Sequence, residues 1–480
     1  MVASERRKWL ALALLSVVQF MVVLDIAIVN VALPSIKVDL GFSQENLQWV
    51  ISAYALVFGG FLLLGGRAAD LVGRRRIFLG GVIVFTLASL FAGLAWSEAS
   101  LIGARAFQGL GAAIITPAAL SILSTTFVEG RERNIALGVW GAVGGFGAAA
   151  GVLLGGILTD ALSWEWIFFV NVPVGVTAFA LTPLLLSESR DARVKTFDLP
   201  GAVLVTSGLS SLVYAITQAG QEGWLGGETL AFFGVAIALL AGFVGWELRH
   251  PEPLMRFGIL QTRTVSGANV AGFIMGTALF AMFLMLTLYM QQVLGYSAMK
   301  TGVAYLAVAG TAIVWSAVAA QLVTRVGVKP VLVVGMTTLT AGLVYFTQVS
   351  VGGSYLGDLL PGFLLIAVGI GFSYVPISIA ALAGVQAAEA GLASGLINTS
   401  QQIGGALGIA ALSTIATSRT EDAVAAGSAL PSALVDGFTA AFVAGVIIAG
   451  LGIVAALTLI RRDELEQEPV EAEPALDLAA

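Results

Sequence analysis

Long apolar runs, separated by short polar segments, extend along nearly the whole chain. A membrane-spanning helix needs about 20 mostly apolar residues in succession. Fourteen runs come close to this length, at Leu10–Val31, Leu47–Gly66, Ile77–Trp96, Ser100–Leu123, Ile135–Leu158, Ile167–Leu186, Gly201–Thr217, Thr229–Glu247, Val265–Tyr289, Thr301–Val323, Pro330–Val349, Leu359–Ala383, Gly395–Thr417 and Phe438–Ile460. The runs do not alternate between apolar and polar residues, which predicts helices and argues against a membrane barrel. The pattern therefore predicts an all-α polytopic membrane protein with about fourteen transmembrane helices.

Composition strengthens this prediction. Hydrophobic residues make up 58% of the 480 residues and charged residues 11%, whereas a typical soluble domain is about 25% charged. The net charge of −6 argues against a nucleic-acid partner, because such binding needs a basic surface. The chain has no Cys, so disulfides, thiol nucleophiles and cysteine metal sites are excluded.

Lys and Arg fall mainly on one side of the predicted spans. If the N-terminus is cytoplasmic, nineteen of the 23 basic residues lie on the cytoplasmic side. Only Lys37, Lys300 and Arg419 lie outside, and Arg105 lies within a span. Because cytoplasmic loops are enriched in Lys and Arg, this asymmetry predicts a multi-pass protein of the cytoplasmic membrane with both termini in the cytoplasm.

Two short segments repeat across the chain at nearly constant spacing. Gly109–Pro117 resembles Gly369–Pro376, and Leu71–Arg75 resembles Arg325–Lys329. Repeated halves are typical of secondary transporters, which bind substrate between the halves. The repeat predicts an N-terminal six-helix half at 1–190, two extra linker helices at 191–263 and a C-terminal six-helix half at 264–462. Residues 463–480 hold seven acidic residues and no base, and we expect a disordered acidic tail there.

Five motifs, in their order along the chain, point to a known family. They are Leu24–Pro34 in the first span, Gly66–Arg76 after the second, Leu101–Gly109 in the fourth, the glycines Gly147, Gly151, Gly155 and Gly156 in the fifth, and Trp164–Pro173 at the sixth. As a set they resemble the major facilitator superfamily, and the first and last are similar to motifs of its fourteen-helix drug:proton antiporter family. Four positions depart from the family pattern, namely Ala27, Arg67, Val152 and Glu165. Val152 bears on function, because a proline is usual at this position of the antiporter motif.

The resemblance implies the major facilitator fold, with two six-helix halves and two extra central helices. It implies a multidrug or antibiotic efflux transporter, a proton-coupled antiporter that exports amphipathic drug-like or antibiotic small molecules by alternating access. Its partners would be a small-molecule substrate, protons and the lipid bilayer, with no cofactor and no nucleic acid. A proton-coupled importer of a metabolite and a non-transporting membrane sensor are the alternatives. We expect a monomer without enzymatic activity.

Asp25 and Arg105 are charged residues that lie deep within predicted spans. An ionisable side chain inside the membrane is costly and by default indicates function. At 1.5 Å per residue, both lie in the outer third of the bilayer. The hypothesis is that Asp25 takes up an external proton and that Arg105 tunes its proton affinity, because burial disfavours a carboxylate whereas a nearby cation favours it. The alternative is a static ion pair.

The loop after the second span holds a second group of candidates. Its members are Gly66, Asp70, Gly73, Arg74, Arg75 and Arg76. We expect Asp70 to face the three arginines in a charge cluster that breaks and reforms as the halves move, which would make it a cytoplasmic gate. The alternative is that the arginines only fix the orientation of the chain.

Glycine spacing and scattered polar residues give the remaining candidates. Gly147, Gly151 and Gly155 share one helix face, and with Gly156 they predict a tight helix-packing seam between the halves. Substrate contacts are predicted at polar or aromatic residues within the spans, each of which has an interhelical hydrogen bond as its alternative. These residues are Gln19, Asn30, Tyr54, Gln108, Asn269, Tyr289, Asn398 and Gln401.

Other chemistry finds little support. The single His, His250, lies in a polar loop, where we expect it to be solvated and inert. Without Cys or a second His, neither a metal site nor Cys/His catalysis is expected. The chain has no Gly-x-x-x-x-Gly-Lys-Ser/Thr motif, so a phosphate loop does not bind ATP here. An ion gradient is the remaining source of energy.

Overall fold

The computed structural model describes residues 2–127, 131–189, 198–251, 253–255, 257–383, 385 and 390–465. These residues form fourteen helices of at least 15 residues, numbered α1 to α14. The first seven are α1 (Val2–Leu40), α2 (Trp49–Val72), α3 (Arg74–Gly93), α4 (Glu98–Thr126), α5 (Arg131–Ala161), α6 (Asn171–Leu185) and α7 (Leu199–Glu222). The others are α8 (Gly227–Glu247), α9 (Arg263–Leu288), α10 (Ala298–Val326), α11 (Val328–Phe346), α12 (Leu360–Ala380), α13 (Ala390–Ala425) and α14 (Leu430–Leu459).

Length and composition identify most of these helices as membrane spans. Within the described residues, twelve helices are long and apolar enough to cross a membrane. Large apolar side chains such as Phe91, Phe146 and Ile237 are exposed on the surface of the bundle, where a bilayer covers them. The prediction of an all-α polytopic membrane protein with fourteen long helices is confirmed.

Some helices continue well beyond the predicted spans. α1 runs through Pro34 to Leu40, and α13 runs to Ala425. Lys37 and Arg419, which were expected in loops, therefore lie within helices. Lys37 falls in the last turn of α1, where a cation interacts favourably with the carbonyl end of the helix. An apolar run thus marks the part of a helix that lipid covers, whereas the backbone hydrogen bonds continue past it.

The two halves pack in the same pattern. In the first half α1 packs against α5, and both α2 and α3 pack against α4; in the second half α9 packs against α13, and both α10 and α11 pack against α12. The chain turns at Gly73 before α3 and at Gly327 before α11, with φ of 128° and 90°, which glycine adopts more readily than other residues. The repeated sequence segments therefore occupy equivalent corners, while the exact limits of the halves stay a prediction.

The bundle has two faces, and successive long helices begin at alternate faces. The face where α1, α3 and α11 begin is called the basic face below, because Arg7, Arg74 and Lys329 lie there. At the opposite face the halves are joined: Nε2 of Gln291 donates to the carbonyl of Val31 at 2.8 Å. One apolar core fills the second half and includes first-half residues near the opposite face, whereas the first half has a core of its own toward the basic face.

The extra helices α7 and α8 form a hairpin beside the two halves. α7 packs against α2 and α13, and its Thr217 accepts a hydrogen bond from Nε2 of Gln48 at 2.9 Å. Of the residues of α8, all of which are described, only Thr229, Ala236 and Glu247 are buried. α8 is therefore an outer helix, and a buried carboxyl at its end is unusual. The predicted acidic tail lies, beyond Leu465, outside the described residues.

Candidate functional site

A buried polar cluster lies within the first half, around Asp25 of α1. The Asp25 side chain has no exposed surface. Its Oδ2 accepts a hydrogen bond from Nη1 of Arg105 on α4 at 2.5 Å. Its Oδ1 accepts from Nε2 of Gln108 at 3.0 Å and from Nδ2 of Asn171, the first residue of α6, at 2.8 Å. Donors from two other helices therefore converge on one carboxylate.

Arg105 is held by more than its acidic partner. Its side chain is buried, and Nε donates to the carbonyl of Val50 at 2.9 Å, while Nη1 also donates to Oε1 of Gln108 at 2.8 Å. The guanidinium carbon lies 4.4 Å from the ring centroid of Tyr54, which is within cation–π range. These contacts hold the guanidinium independently of its bond to Asp25.

The cluster can exist in two electrostatic states. A buried ion pair loses its hydration, and removing one partner leaves the other charge uncompensated, at a cost of about 3–5 kcal/mol. A proton on Asp25 would cancel the attraction to Arg105 without removing any atom of the protein. The arrangement can therefore couple the protonation of one carboxyl to the position of α1 relative to α4 and α6.

The predicted glycine seam packs mainly inside the first half. A Cβ at Gly151 or Gly155 would lie 2.8 Å or 2.7 Å from a backbone oxygen of α1, and Gly147 also faces α1. Only Gly156 faces the second half, where its Cβ would lie 2.6 Å from a backbone oxygen of α10. The prediction of a seam between the halves is therefore wrong for the other three glycines. Residues four apart share a helix face, whereas Gly156 is turned by about 100° from Gly155.

The Asp70 loop forms a charge cluster with an unexpected member. Oδ1 of Asp70 accepts from Nε and Nη2 of Arg74 at 3.0 and 2.9 Å. Arg75 and Arg76 lie instead 3.8 and 3.7 Å from the carboxylate of Glu188, which follows α6. The prediction that Asp70 faces all three arginines is therefore wrong. Arg74 lies one turn beyond Asp70, across the bend, whereas the next two residues are directed toward the end of α6.

The two glycines of this loop serve close packing. Gly66 lies against Pro117 of α4, where a Cβ would be 3.3 Å from the proline ring. Gly73 ends α2 and precedes α3, and a Cβ there would lie 2.7 Å from the carboxylate of Glu188. The backbone amide of Arg74 donates to the carbonyl of Ser189 at 2.9 Å. The loop therefore clamps the segment after α6, and these three contacts lie within the first half.

Four of the predicted substrate contacts lie in the cluster or bond within their own helix, although the buried hydroxyl of Tyr54 has no hydrogen-bond partner among the described residues. Tyr54 and Gln108 belong to the polar cluster around Asp25. Asn30 donates to a carbonyl one turn earlier in α1 at 3.1 Å, and Asn398 does the same in α13 at 2.9 Å. Of these four, Asn398 alone is exposed.

The other four predicted contacts lie on several helices. Asn269 accepts a hydrogen bond from Ser400 at 2.9 Å, and Tyr289 donates to the carbonyl of Ser350 at 2.7 Å. Gln401 lies on α13, where its backbone packs against Gly276. The Oε1 atom of Gln19 is buried and has no hydrogen-bond partner among the described residues. Of these four residues, Gln19 is therefore the best suited to meet a ligand.

A cavity of about 480 Å³ lies between the halves near the opposite face. Its lining combines polar and apolar side chains, including Lys37, Gln48, Met285, Gln292, Glu421 and Phe438, a mixture that suits an amphipathic small molecule. These residues were not predicted, because they lie near the ends of spans, where polar side chains are common. A larger groove of about 790 Å³ lies between α11 and α14 at the basic face, away from Asp25.

The sequence match decides the family. Residues 15–409 match the family described as Major Facilitator Superfamily. The chain belongs to the major facilitator superfamily. The resemblance stated from five motifs is therefore confirmed, and the fourteen-helix bundle is a major facilitator fold.

Relatives of this major facilitator protein are named for antibiotics. The chain is 42% identical over 436 residues to puromycin resistance protein pur8 of Streptomyces alboniger, covering 90% of this chain and 86% of that protein. It is 41% identical over 417 residues to cephamycin export protein CmcT of Amycolatopsis lactamdurans, covering 85% of each. The crystal structure of a bacterial homologue of the human lysosomal transporter Spinster shares the fold, with a TM-score of 0.65 at 17% identity, covering 95% of this chain and 98% of that one.

Three residues that shape the sites of this transporter were not predicted. Asn171 binds Asp25, and Ser89 of α3 accepts a hydrogen bond from Nε2 of Gln108 at 2.8 Å. Glu188 binds the loop arginines. Asn171 stands in the motif Trp164–Pro173, which was the available signal. Ser89 and Glu188 gave none, since a serine in a span and an acid in a loop are both common.

Proposed function

We propose that this chain is a proton-coupled antiporter that exports amphipathic, antibiotic-like small molecules by alternating access. The observation that carries the proposal is the buried Asp25 carboxylate, held by Arg105, Gln108 and Asn171. The names of the relatives, puromycin resistance and cephamycin export, support the substrate class. We place the basic face and both termini in the cytoplasm, which the distribution of Lys and Arg favours, and the working unit is a monomer.

The proton step takes place at Asp25. In the described state the halves are joined at the opposite face, where the amide of Met299 donates to Asp160 at 2.9 Å, and Asp25 is paired with Arg105. When the halves separate at that face, water and an external proton reach Asp25. Neutral Asp25 releases Arg105, which stays held by the carbonyl of Val50 and by Gln108.

The substrate step uses the other face. When the cytoplasmic ends of the halves separate, Asp25 gives up its proton and regains Arg105 as its partner, and the substrate binds between the halves. Reopening at the outer face exchanges the substrate for a new proton. Moving one charge through 100 mV supplies about 2.3 kcal/mol, which supports a concentration ratio of roughly 50-fold.

The test uses inside-out vesicles with an acidified interior and a fluorescent pH probe. Addition of puromycin or a cephamycin should release protons from vesicles that contain the wild-type protein. Asp25→Asn should abolish this release, because the amide cannot carry the proton. Asp422→Asn, at an exposed position of α13, is the matched control and should behave as wild type.

Two outcomes would contradict the proposal. Proton release that persists in Asp25→Asn would exclude Asp25 as the proton carrier. Uptake of the compound into intact cells, without proton release from energised inside-out vesicles, would show import instead of export.

A further inference from the structure

Two buried carboxyls meet where the extra helix hairpin reaches the basic face. Asp198 directly precedes α7, and Glu247 is the last residue of α8. The side chains are 0% and 3% exposed. Neither belongs to the polar cluster around Asp25 or to the Asp70 loop, and neither was predicted from the sequence.

Asp198 is surrounded by hydrogen-bond donors. Its Oδ1 accepts from Nε1 of Trp246 at 2.6 Å and from the amide of Gly201 at 3.0 Å, and its Oδ2 accepts from the amide of Leu254 at 3.3 Å. Burial raises the pKa of Asp198, but hydrogen bonds from the Glu247 and Trp246 side chains and from two backbone amides outweigh it, so that the pKa lies below its usual value. Asp198 is therefore the ionised member of the pair.

Glu247 lacks such donors. Its Oε2 accepts from the amide of Met255 at 2.9 Å, whereas its buried Oε1 has no hydrogen-bond partner among the described residues when the carboxyl is ionised. A Cβ added at Gly201 would touch both Oε1 of Glu247 and Oδ2 of Asp198, so these two oxygens face the same small space. Two buried carboxylates this close do not both ionise. A proton on Oε1 gives that atom a partner, because it then donates to Asp198.

Few other charges among the described residues face the pair. Nδ1 of His250 lies 3.9 Å from Oδ2 of Asp198, and its ring stacks on Trp246, so the expectation that His250 is solvated is wrong. Arg67 of α2 donates to the carbonyl of Pro253 at 2.8 Å, in the loop that also supplies the amides of Leu254 and Met255. Arg249 is directed back along α8, where Nη1 donates to the carbonyl of Gly245 at 3.1 Å.

We infer that Asp198 and Glu247 form a second proton-binding site, which holds one proton between the two carboxyls at neutral pH. The same loop, residues 253–255, joins this site to α2 through Arg67. The bound proton therefore fastens the end of the extra hairpin to the helix that carries Asp70. When this proton is lost, two carboxylates next to the loop repel each other. The contact between the end of the hairpin and α2 then weakens. The site stands independently of the proton role of Asp25.

The first test detects the proton directly. Infrared spectra of the purified full-length protein are recorded from neutral to alkaline pH, and the absorption of protonated carboxyl groups is followed. Wild type should show such a band at neutral pH that disappears on the alkaline side. Glu247→Gln should lack it and should still fold, because the glutamine amide can donate to Asp198 as the protonated acid does.

Three further variants assign the band. Glu228→Gln changes an exposed acid on the same helix and should keep the band. Asp25→Asn should keep it as well, which separates this site from the proposed export mechanism. Asp198→Asn should shift the loss of the band to lower pH, since Glu247 then has no anionic neighbour. A neutral-pH band that survives Glu247→Gln would overturn the inference.

The second test measures the attachment. The chain has no Cys, so spin labels can be placed with Val72→Cys and Leu248→Cys, both at exposed positions. The distance distribution between the labels should broaden from neutral to alkaline pH in an otherwise wild-type chain. It should stay narrow when Glu247→Gln is added. A wild-type distribution that does not change with pH would refute the fastening role.

Discussion

Asp25 and Glu247 are both buried acids, but their neighbours carry opposite charges. Asp25 faces the guanidinium of Arg105 at 2.5 Å, whereas Glu247 faces the carboxylate of Asp198. Burial alone disfavours a charge at either position. The cation offsets that cost for Asp25, whereas the anion adds to it for Glu247. Protonation therefore breaks the first pair, and loss of a proton breaks the second.

The largest expected effect comes from removing the cation of the first pair. Arg105→Met keeps an unbranched side chain but removes the guanidinium, which leaves Asp25 buried without a counter-charge. We expect a loss of about 3–5 kcal/mol of stability and no transport. Thermal unfolding in detergent and uptake into proteoliposomes would measure the two effects.

A double variant provides the control for this loss. Asp25→Asn combined with Arg105→Met removes both charges, so most of the stability should return while transport stays absent. If the double variant were as unstable as Arg105→Met alone, lost packing and not an uncompensated charge would explain the instability.

The second pair is tested by Asp198→Asn, with pH as the variable. The pKa of Asp198 lies below its usual value in the folded protein, so its ionised form stabilises the fold above the ordinary Asp pKa of about 3.9. This contribution is lost as the pH falls through the lowered value. At neutral pH the variant should lose about 1.5–3 kcal/mol, as expected for a hydrogen bond to a charged group.

The pH profile of the melting temperature separates this explanation from simple mispacking. Wild type and Asp198→Asn should converge as the pH falls through the acid range, because protonated Asp198 resembles the amide. A gap of constant size across that range would show that the charge of Asp198 contributes nothing.

The difference between the pairs also explains what the sequence could predict. Asp25 and Arg105 interrupt long apolar runs, so each is conspicuous by itself. Counting residues from the ends of their spans places both at a similar depth in the membrane. Asp198 and Glu247 each lie at the end of a different apolar run, and acidic residues are common at such ends. Their meeting depends on how α7 and α8 fold back on each other, and residue spacing carries no information about that contact.

The same limit applies to the glycine face of α5. The spacing of Gly147, Gly151 and Gly155 predicted one close-packed face, and such a face exists. Which helix occupies it depends on the packing of all six helices of the half. α1 does so, and the face therefore supports Asp25 instead of the contact between the halves.

A smaller effect is expected when this support is disturbed. A Cβ at Gly151 would lie 2.8 Å from a backbone oxygen and 2.9 Å from the Cβ of Ala27, both on α1. Gly151→Ala should therefore cost about 1–3 kcal/mol, the usual range for an overpacked site, and should lower transport by displacing Asp25. Gly310→Ala is the matched control, since a Cβ at Gly310 meets no atom within 4 Å. Equal melting temperatures for the two variants would contradict this role of Gly151.

The smallest change in stability is expected at a third acid, Asp70. Its pair with Arg74 tests how much burial contributes to the strength of such a pair. Asp70 and Arg74 are opposite in charge, as Asp25 and Arg105 are, with a distance of 2.9 Å, but their side chains are 32% and 13% exposed. Water screens such a pair, which contributes at most about 1 kcal/mol. Asp70→Asn should therefore change the melting temperature little yet slow transport, if the pair acts as a gate. Glu188→Gln, which weakens the contacts of Arg75 and Arg76 instead, is the comparison variant. If transport is unchanged in Asp70→Asn but lost in Glu188→Gln, the gate lies at the segment after α6 and not at Asp70.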